Sequence, residues 1–272
     1  MMAGGVQHVA VAWRHGQHQI EYAWVGDADP GAPLLVFLHE GLGSLGLWKD
    51  FPGQLCQAAG CRGLVFSRWG YGHSSPRPPA TRWPVSFMHE QAHEFLPAFF
   101  AALGLDTAVT PPWLFGHSDG GSIALLYASA FPQQVAGLVV AAPHILVEDL
   151  TIRSIEQARQ AYLDTDLRAR LGRYHADPDS AFWGWNQIWL DPDFTAWNIE
   201  REVSRIACPV LAVQGYDDEY GSMVQIDGIA RLAPQTRLLK LERCGHSPHR
   251  DQPERLTQAV AEFISAHRRP AG

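Results

Sequence analysis

Gly116-His117-Ser118-Asp119-Gly120 matches the pattern G-x-S-x-G. Two glycines around a serine often arise by chance, so the setting has to decide. Here the short apolar run Trp113-Leu114-Phe115 leads in, and the stretch from Ile123 to Ala130 follows with helical character. That reads as strand, tight turn, helix. Such a turn forces Ser118 into a strained backbone conformation, and Gly116 and Gly120 leave room for strand and helix to approach each other. The hydroxyl then projects at the positive end of the helix. A serine is a poor nucleophile until a base takes its proton. The chemistry implied is acyl transfer, with an acid and then a histidine expected further along the chain. Val210 to Gln214 is an apolar run that leads into Gly215-Tyr216-Asp217-Asp218-Glu219, and Thr236 to Leu241 leads into Cys244-Gly245-His246. On the residues alone, Asp217, Asp218 and Glu219 all stand as the acid.

These groups need a scaffold that brings them to one edge. Leu34 to Leu38, Gly63 to Ser67 and Val135 to Ala142 are further apolar runs, suited to parallel strands buried on both faces. Val6 to Trp13 and Gln19 to Val25 alternate around Gly16 as an opening hairpin. Trp48 to Ala59 reads as a helix stopped near Gly60. Ser86 to Leu103 reads as a single helix with Phe87, Gln91, Phe95, Phe99 and Leu103 at helical spacing and Gly104 as its C-cap. Asp251 and Glu254 form an expected capping box for a last helix with the stripe Leu256, Val260, Phe263 and Ile264. Strands alternating with helices predict an α/β fold with a mostly parallel sheet. Residues 148–204 break the rhythm, with helical stretches, no buried strand, and Trp183, Trp185, Trp189 and Trp197. The expectation is a core of residues 1–147 and 205–272, with 148–204 inserted as a helical lid over the carboxyl edge of the sheet.

Composition narrows the function. Of 272 residues, 46% are hydrophobic and only 18% charged, which argues against disorder. The net charge is −7 and no Lys or Arg run occurs, which argues against a nucleic-acid partner. Residues 1–5 show no basic stretch leading into an apolar run, and no apolar segment reaches about 18 residues, so neither a signal peptide nor a membrane span is expected. Cys56, Cys61, Cys208 and Cys244 form no CxxC pair and no metal-like spacing. They are expected to be free, mostly buried thiols in a reducing, cytoplasmic setting, with no metal and no cofactor. The 10 Trp and 13 His of this charge-poor chain point to an apolar pocket with chemistry beside it and a small-molecule substrate. Nothing in the sequence sets an oligomeric state.

At this point the chain resembles the α/β-hydrolase family, over about residues 20 to 268. The resemblance rests on His39-Glu40-Gly41, the turn Gly70-Tyr71-Gly72-His73-Ser74, the G-x-S-x-G turn, and the Asp218 and His246 loops. It implies Asp218 as the acid over Asp217 and Glu219, and His246, with Pro253 downstream, as the base. His246 would accept the proton of Ser118 and pass it to the leaving group, while Asp218 fixes its tautomer. The oxyanion donors would be the backbone N–H of Asp119 and that of Gly41, with Leu42 as the alternative to Gly41. Two features depart from the family. Glu40 stands where a glycine is usual, and is expected to point away or to pair with a base such as Arg68. Ser67-Arg68-Trp69-Gly70 lacks the usual leading Asp and has Trp69 where Arg is usual, which puts that turn's salt bridge in doubt. Relatives that cleave amino-acid esters carry an Asp directly after the nucleophile, where it can face an ammonium. Asp119 equally suits the positive start of its helix.

Expected substrate contacts are Glu40, Leu42, Asp119, Trp183, Trp185 and Trp189. His73, His117 and His249 are expected to line the site or solvate a loop, and Cys244 to be a packed thiol. The function implied is a serine hydrolase cleaving a small carboxylic ester with an apolar or aromatic group through an acyl-enzyme. The alternatives are hydrolysis of a carbon–carbon bond in aromatic ring-cleavage products, or a non-hydrolytic role as a small-molecule receptor or cofactor-free oxygenase.

Overall fold

A run such as Leu34-Leu35-Val36-Phe37-Leu38 has no polar face, so a sheet can hold it only if both sides are covered. The computed structural model, which describes residues 5–14, 16–27, 29 and 31–268, has this arrangement. The leader expectation for residues 1–5 lies outside the described residues, Gly5 apart. Eight strands form one sheet: β1 Gln7–Trp13, β2 Gly16–Gly26, β3 Leu34–Leu38, β4 Arg62–Phe66, β5 Trp113–His117, β6 Gly137–Ala141, β7 Val210–Gly215 and β8 Thr236–Leu241. Their order is β1-β2-β4-β3-β5-β6-β7-β8. The hairpin β1–β2 and the pair β2–β4 are antiparallel; every later pairing is parallel.

Alternate side chains of each strand face opposite sides. Leu35, Phe37, Phe115 and Val213 point to one core, which is covered by the helices α1 (Phe51–Ala59) and α11 (Pro253–Ala266). Val36, Leu38, Leu114 and Val140 point to the other. That core is closed by α2 (Phe87–Glu90), α3 (Leu96–Ala102), α4 (Asp119–Ala130) and α9 (Val224–Leu232). Between β6 and β7 run α5 (Asp149–Asp164), α6 (Leu167–Leu171), α7 (Pro178–Trp189), a 3-10 turn over Pro192–Ala196, and α8 (Glu200–Val203). This insertion leaves and rejoins the sheet side by side, through a bridge between Leu146 and Asn198. The short helix α10 (Pro248–Asp251) lies between β8 and α11. No described helix is long and apolar enough to cross a membrane.

Two local expectations need correction. The single helix expected over Ser86–Leu103 is α2 and α3 joined by a π turn over Gln91–Phe95. Pro97 has no N–H for the usual bond to the residue four back, and its ring crowds that carbonyl, so the backbone widens there. The capping box also fails. Gln252, held out of the helical conformation before Pro253 at φ −138° and ψ 52°, caps α11 without a side-chain bond. The Asp251 carboxylate instead accepts the Gly245 N–H at 2.8 Å, beside His246.

The strand order reverses between β3 and β5. Their carboxyl ends therefore lie side by side, Leu38 opposite Gly116, and open a crevice of the kind where ligands bind in such sheets. The crevice depends on close backbone approach. A Cβ on Gly120 would overlap the Leu38 carbonyl, whereas one on Gly53, in α1, would meet nothing. Gly120→Ala is therefore expected to lower stability by ~1–3 kcal/mol. Gly53→Ala should raise it by ~0.5–1 kcal/mol. Urea unfolding of both proteins checks the pair, and equal midpoints would refute the packing argument.

Candidate active site

The turn after β5 is as tight as the sequence requires. Ser118 sits at φ 51° and ψ −121°, a left-handed conformation that costs a residue with a side chain of order 1–3 kcal/mol. The turn is held by the Ser118 N–H donating to the Ala141 carbonyl of β6 at 2.9 Å, and by the Gly121 N–H donating to the Ser118 carbonyl at 2.8 Å. Ser118 is thereby aimed at the segment after β8, where His246 Nε2 lies 2.9 Å from its Oγ.

On the other side of the ring, His246 Nδ1 lies 2.8 and 3.0 Å from the two Asp218 oxygens. A carboxylate can only accept, so Nδ1 carries the proton and Nε2 is free to accept from the serine. Asp218 is itself fixed, accepting from Gln214 Nε2 at 2.6 Å and from the Tyr220 N–H at 2.8 Å. Burial penalises the charged form of both residues, but their mutual attraction outweighs it. Asp218 is held below the ordinary aspartate value and His246 is pushed above the ordinary histidine value. The other two candidate acids point elsewhere. Asp217 is exposed, and Glu219 accepts the backbone N–H of His246 at 3.2 Å.

The loop after β3 brings a second set of groups to the crevice. The Glu40 carbonyl accepts from three donors: His39 Nδ1 at 2.7 Å, Arg68 Nη2 at 2.9 Å and the Gly43 N–H at 3.0 Å. In a trans peptide the N–H points opposite to the C=O. Pinning the Glu40 carbonyl therefore turns the Gly41 N–H the other way. Gly41, Leu42, Ser118 and Asp119 all border one cavity of about 110 Å³. Arg68 Nη2 stands 3.9 Å from the Asp119 carboxylate as well, so one buried guanidinium reaches both ends of this arrangement.

The sequence expectation for Glu40 is met in part. Its bond to Arg68 runs through the backbone carbonyl, while the carboxylate turns away to His117 Nδ1 at 3.3 Å and Arg250 Nη2 at 3.7 Å. The carboxylate folds back over Gly43, where a Cβ would overlap it. The sequence pattern matches that of the alpha/beta hydrolase family over residues 35–259. The chain belongs to that family.

Among curated proteins, it is 25% identical to the mouse sn-1-specific diacylglycerol lipase ABHD11, over 88% of this chain and 83% of that one. It is 27% identical to the 2-succinyl-6-hydroxy-2,4-cyclohexadiene-1-carboxylate synthase of Enterobacter sp. (strain 638), over 86% and 93%. Among solved structures, a meta-cleavage product hydrolase from Pseudomonas fluorescens IP01 superposes with a TM-score of 0.71 at 17% identity, covering 96% of this chain and 98% of that one. The last likeness is one of fold. As a family member the chain is an alpha/beta hydrolase, and its curated relatives include proteins named as lipases and serine hydrolases.

The expected substrate contacts divide. Glu40, Leu42, Asp119, Trp185 and Trp189 border the cavity, and Trp183 does not. On α7, Trp185 and Trp189 lie four apart and share a face, whereas Trp183 points to another side and packs on Tyr162 and Phe182. Trp185 lies so close over Gly41 that a Cβ there would overlap its indole. Asp119 is fully buried and accepts from Trp189 Nε1 at 3.1 Å. Burial pushes its carboxyl up, with Arg68 and the indole N–H pulling the other way. Cys244 is packed in the core, its thiol pushed up to about 12 by burial. His73 is exposed.

Sequence reasoning missed two histidines and one contact of Arg68. His175, between α6 and α7, accepts the Gly72 N–H at 2.9 Å and donates to the Leu42 carbonyl at 3.0 Å. His144, after β6, borders the cavity and donates from Nε2 to the Tyr220 carbonyl at 3.0 Å. Burial and the nearby His246 push it down to about 4, so it is neutral. Arg68 was expected as a partner for Glu40, but its reach to the Asp119 carboxylate was not. Neither isolated histidine had a spacing to mark it.

The coupling between His246 and Asp218 can be read directly. By proton NMR, His246 should titrate above the ordinary value of about 6.5, and Asp218→Asn should bring it down because the buried ring loses its counter-charge. An unchanged titration would remove Asp218 as the partner.

Proposed function

We propose that this protein is a serine hydrolase that cleaves a small carboxylic ester bearing an apolar or aromatic group. The observation that carries this reading is the unbroken hydrogen-bonded run from Ser118 through His246 to Asp218, bordering an apolar cavity. Ser118 Oγ attacks the ester carbonyl carbon while His246 Nε2 takes its proton. Negative charge collects on the carbonyl oxygen, where the N–H groups of Asp119 and Gly41 receive it. Collapse breaks the ester C–O bond, His246 gives its proton to the departing alcohol, and the acyl group stays on Ser118. Water then gives a proton to His246 and attacks the acyl carbon. The second collapse frees the acid and returns the proton to Ser118. Asp218 remains ionised and stabilises the imidazolium throughout.

The reading assigns residues 148–204 as a lid on the core of residues 1–147 and 205–272. It is supported by Trp185 and Trp189, which reach the cavity from α7, and by the His175 bond to the Leu42 carbonyl. The cavity of about 110 Å³ is of the same order as a ~150 Å³ cavity able to hold benzene, which favours a compact group. Carbon–carbon hydrolysis of a ring-cleavage product would use the same triad. Those substrates are anionic, and the cavity borders on Glu40 and Asp119 with no Lys or Arg side chain among its lining residues. An ammonium on Asp119 is disfavoured by the Arg68 guanidinium 3.9 Å from its carboxylate.

A fluorophosphonate should label Ser118, and Ser118→Ala should lower kcat on a p-nitrophenyl ester by roughly 10⁴-fold or more. Full activity in that protein would refute the reading, and loss of a ring-cleavage dienol chromophore would favour the carbon–carbon alternative. His246 must be neutral to accept the proton, so kcat/KM should fall as pH drops, with its acid limb above about 6.5 because the His246 value is raised. A limb below that value would remove His246 as the base. A bound ammonium would be worth roughly tenfold or more. We instead expect an amino-acid ester and its des-amino analogue to react within about threefold of each other, and a larger preference for the amine would restore the ammonium reading.

A further inference from the structure

The x of G-x-S in this chain is His117, and the mechanism above does not use it. Its side chain is 1% exposed, so water cannot satisfy it. Its Nε2 lies 2.6 Å from the backbone carbonyl of His246, and its Nδ1 lies 3.3 Å from Glu40 Oε2. Both neighbours are acceptors, a carbonyl and a carboxylate. A neutral imidazole has one N–H and can serve only one of them. Both bonds form only when both ring nitrogens carry protons.

We propose that His117 is a positioning residue which, as an imidazolium paired with Glu40, ties the loop carrying the Gly41 N–H to the loop carrying His246. The proposal rests on the serine-hydrolase reading for its effect on rate, though not for the state of the ring.

Several features agree with the tie. The Glu40 carboxylate is penalised by burial, yet the His117 bond holds it well below the ordinary glutamate range, so it is ionised. The charged and titratable groups around the ring are Glu40 from the β3 loop, with Arg250 beyond it, His246 after β8, and His249 from α10. His249 lies 4.9 Å away ring to ring, and burial pushes it down to about 3. It therefore stays neutral and does not compete for Glu40. From the other side His117 meets Trp48, an uncharged wall.

The arrangement also answers what a carboxylate is doing beside an oxyanion donor. Left free, it would oppose the developing negative charge. Folded back over Gly43 and neutralised by His117 and Arg250, it becomes a strut between the two halves of the machinery.

The test has two arms. Long-range ¹⁵N–¹H NMR on the wild-type protein, at the pH of maximal activity, should show both His117 nitrogens protonated. The signals are identified by their loss in His117→Asn. A His117 ring with one bare nitrogen would overturn the proposal. In the second arm, Glu40→Gln and His117→Asn should each lower kcat on an ester about tenfold with KM within about threefold, short of the ~100-fold that losing an oxyanion donor costs. The double variant should be no worse than the poorer single one, because the two act as a unit. Multiplying losses, or losses confined to KM, would overturn the proposal. The NMR arm is read without turnover, so failure of the Ser118 reading would appear in Ser118→Ala kinetics and leave the His117 result standing.

Discussion

The turn at Ser118 is the constraint on which the rest of the site depends. A residue with a side chain is held at φ 51°, and the helix that follows starts at once, with Asp119 in its first turn. This is possible because β5 lies between β3 and β6 and because Gly120 sits against the carbonyls of Leu38 and His39. The same close approach sets the distance between the Ser118 turn and the loop after β3. A larger residue would not simply clash. It would separate Ser118 from the Gly41 peptide on the other side of the cavity. The cost of the strained residue is borne by a sheet covered on both faces, which has the rigidity to over-determine it.

On the proposed reading the site must stabilise an anion, yet it is rich in carboxylates. Asp218, Glu219, Glu40 and Asp119 all lie in or beside it, and each is occupied elsewhere. Asp218 accepts from the base and from Gln214, and Glu219 from the His246 N–H. Asp119 accepts from Trp189, and Glu40 pairs with His117 and Arg250. In a poorly solvated crevice, direction counts for more than net charge, because an interaction at a few ångströms outweighs one across the fold. Asp218, Glu219 and Glu40 are already bound to donors of the protein, and on the proposed reading the developing charge is left to the peptide N–H groups.

Much of this was legible from the chain. The strands could be read because runs such as Leu34–Leu38 and Val210–Gln214 have no polar face, and the Ser118 turn because its glycines flank a strand–helix junction. The order of acid and base after the nucleophile placed Asp218 and His246 on the same edge. What escaped was anything set by one residue against a distant one. Nothing local told that Asp251 would serve Gly245 and not cap α11; the π turn at Pro97 did have a local signal, which the helical apolar spacing masked. Trp183 looked like its neighbours Trp185 and Trp189 until the helical phase separated them. Arg68 and Glu40 were noticed as departures and as partners, but not that their bond would run through the Glu40 carbonyl while the carboxylate turned to His117, on another loop.

The histidines show why such partners are hard to replace. His39 accepts the Arg68 N–H on Nε2 at 3.0 Å and donates from Nδ1 to the Glu40 carbonyl. His175 accepts from the Gly72 N–H and donates to the Leu42 carbonyl. Both are neutral rings that join a donor on one loop to an acceptor on the other, and burial keeps each below the ordinary histidine value, so that the accepting nitrogen stays bare. The two bonds go to the carbonyls on either side of Gly41. A rigid ring with one donor and one acceptor on separate atoms fixes the distance and the sense of both peptides together. An Asn or Gln could match the donor and the acceptor, but not at this separation. A Lys or Arg could only donate, and would leave a backbone N–H without a partner. The loop's conformation is thus specified by imidazoles that are not among the residues lining the cavity.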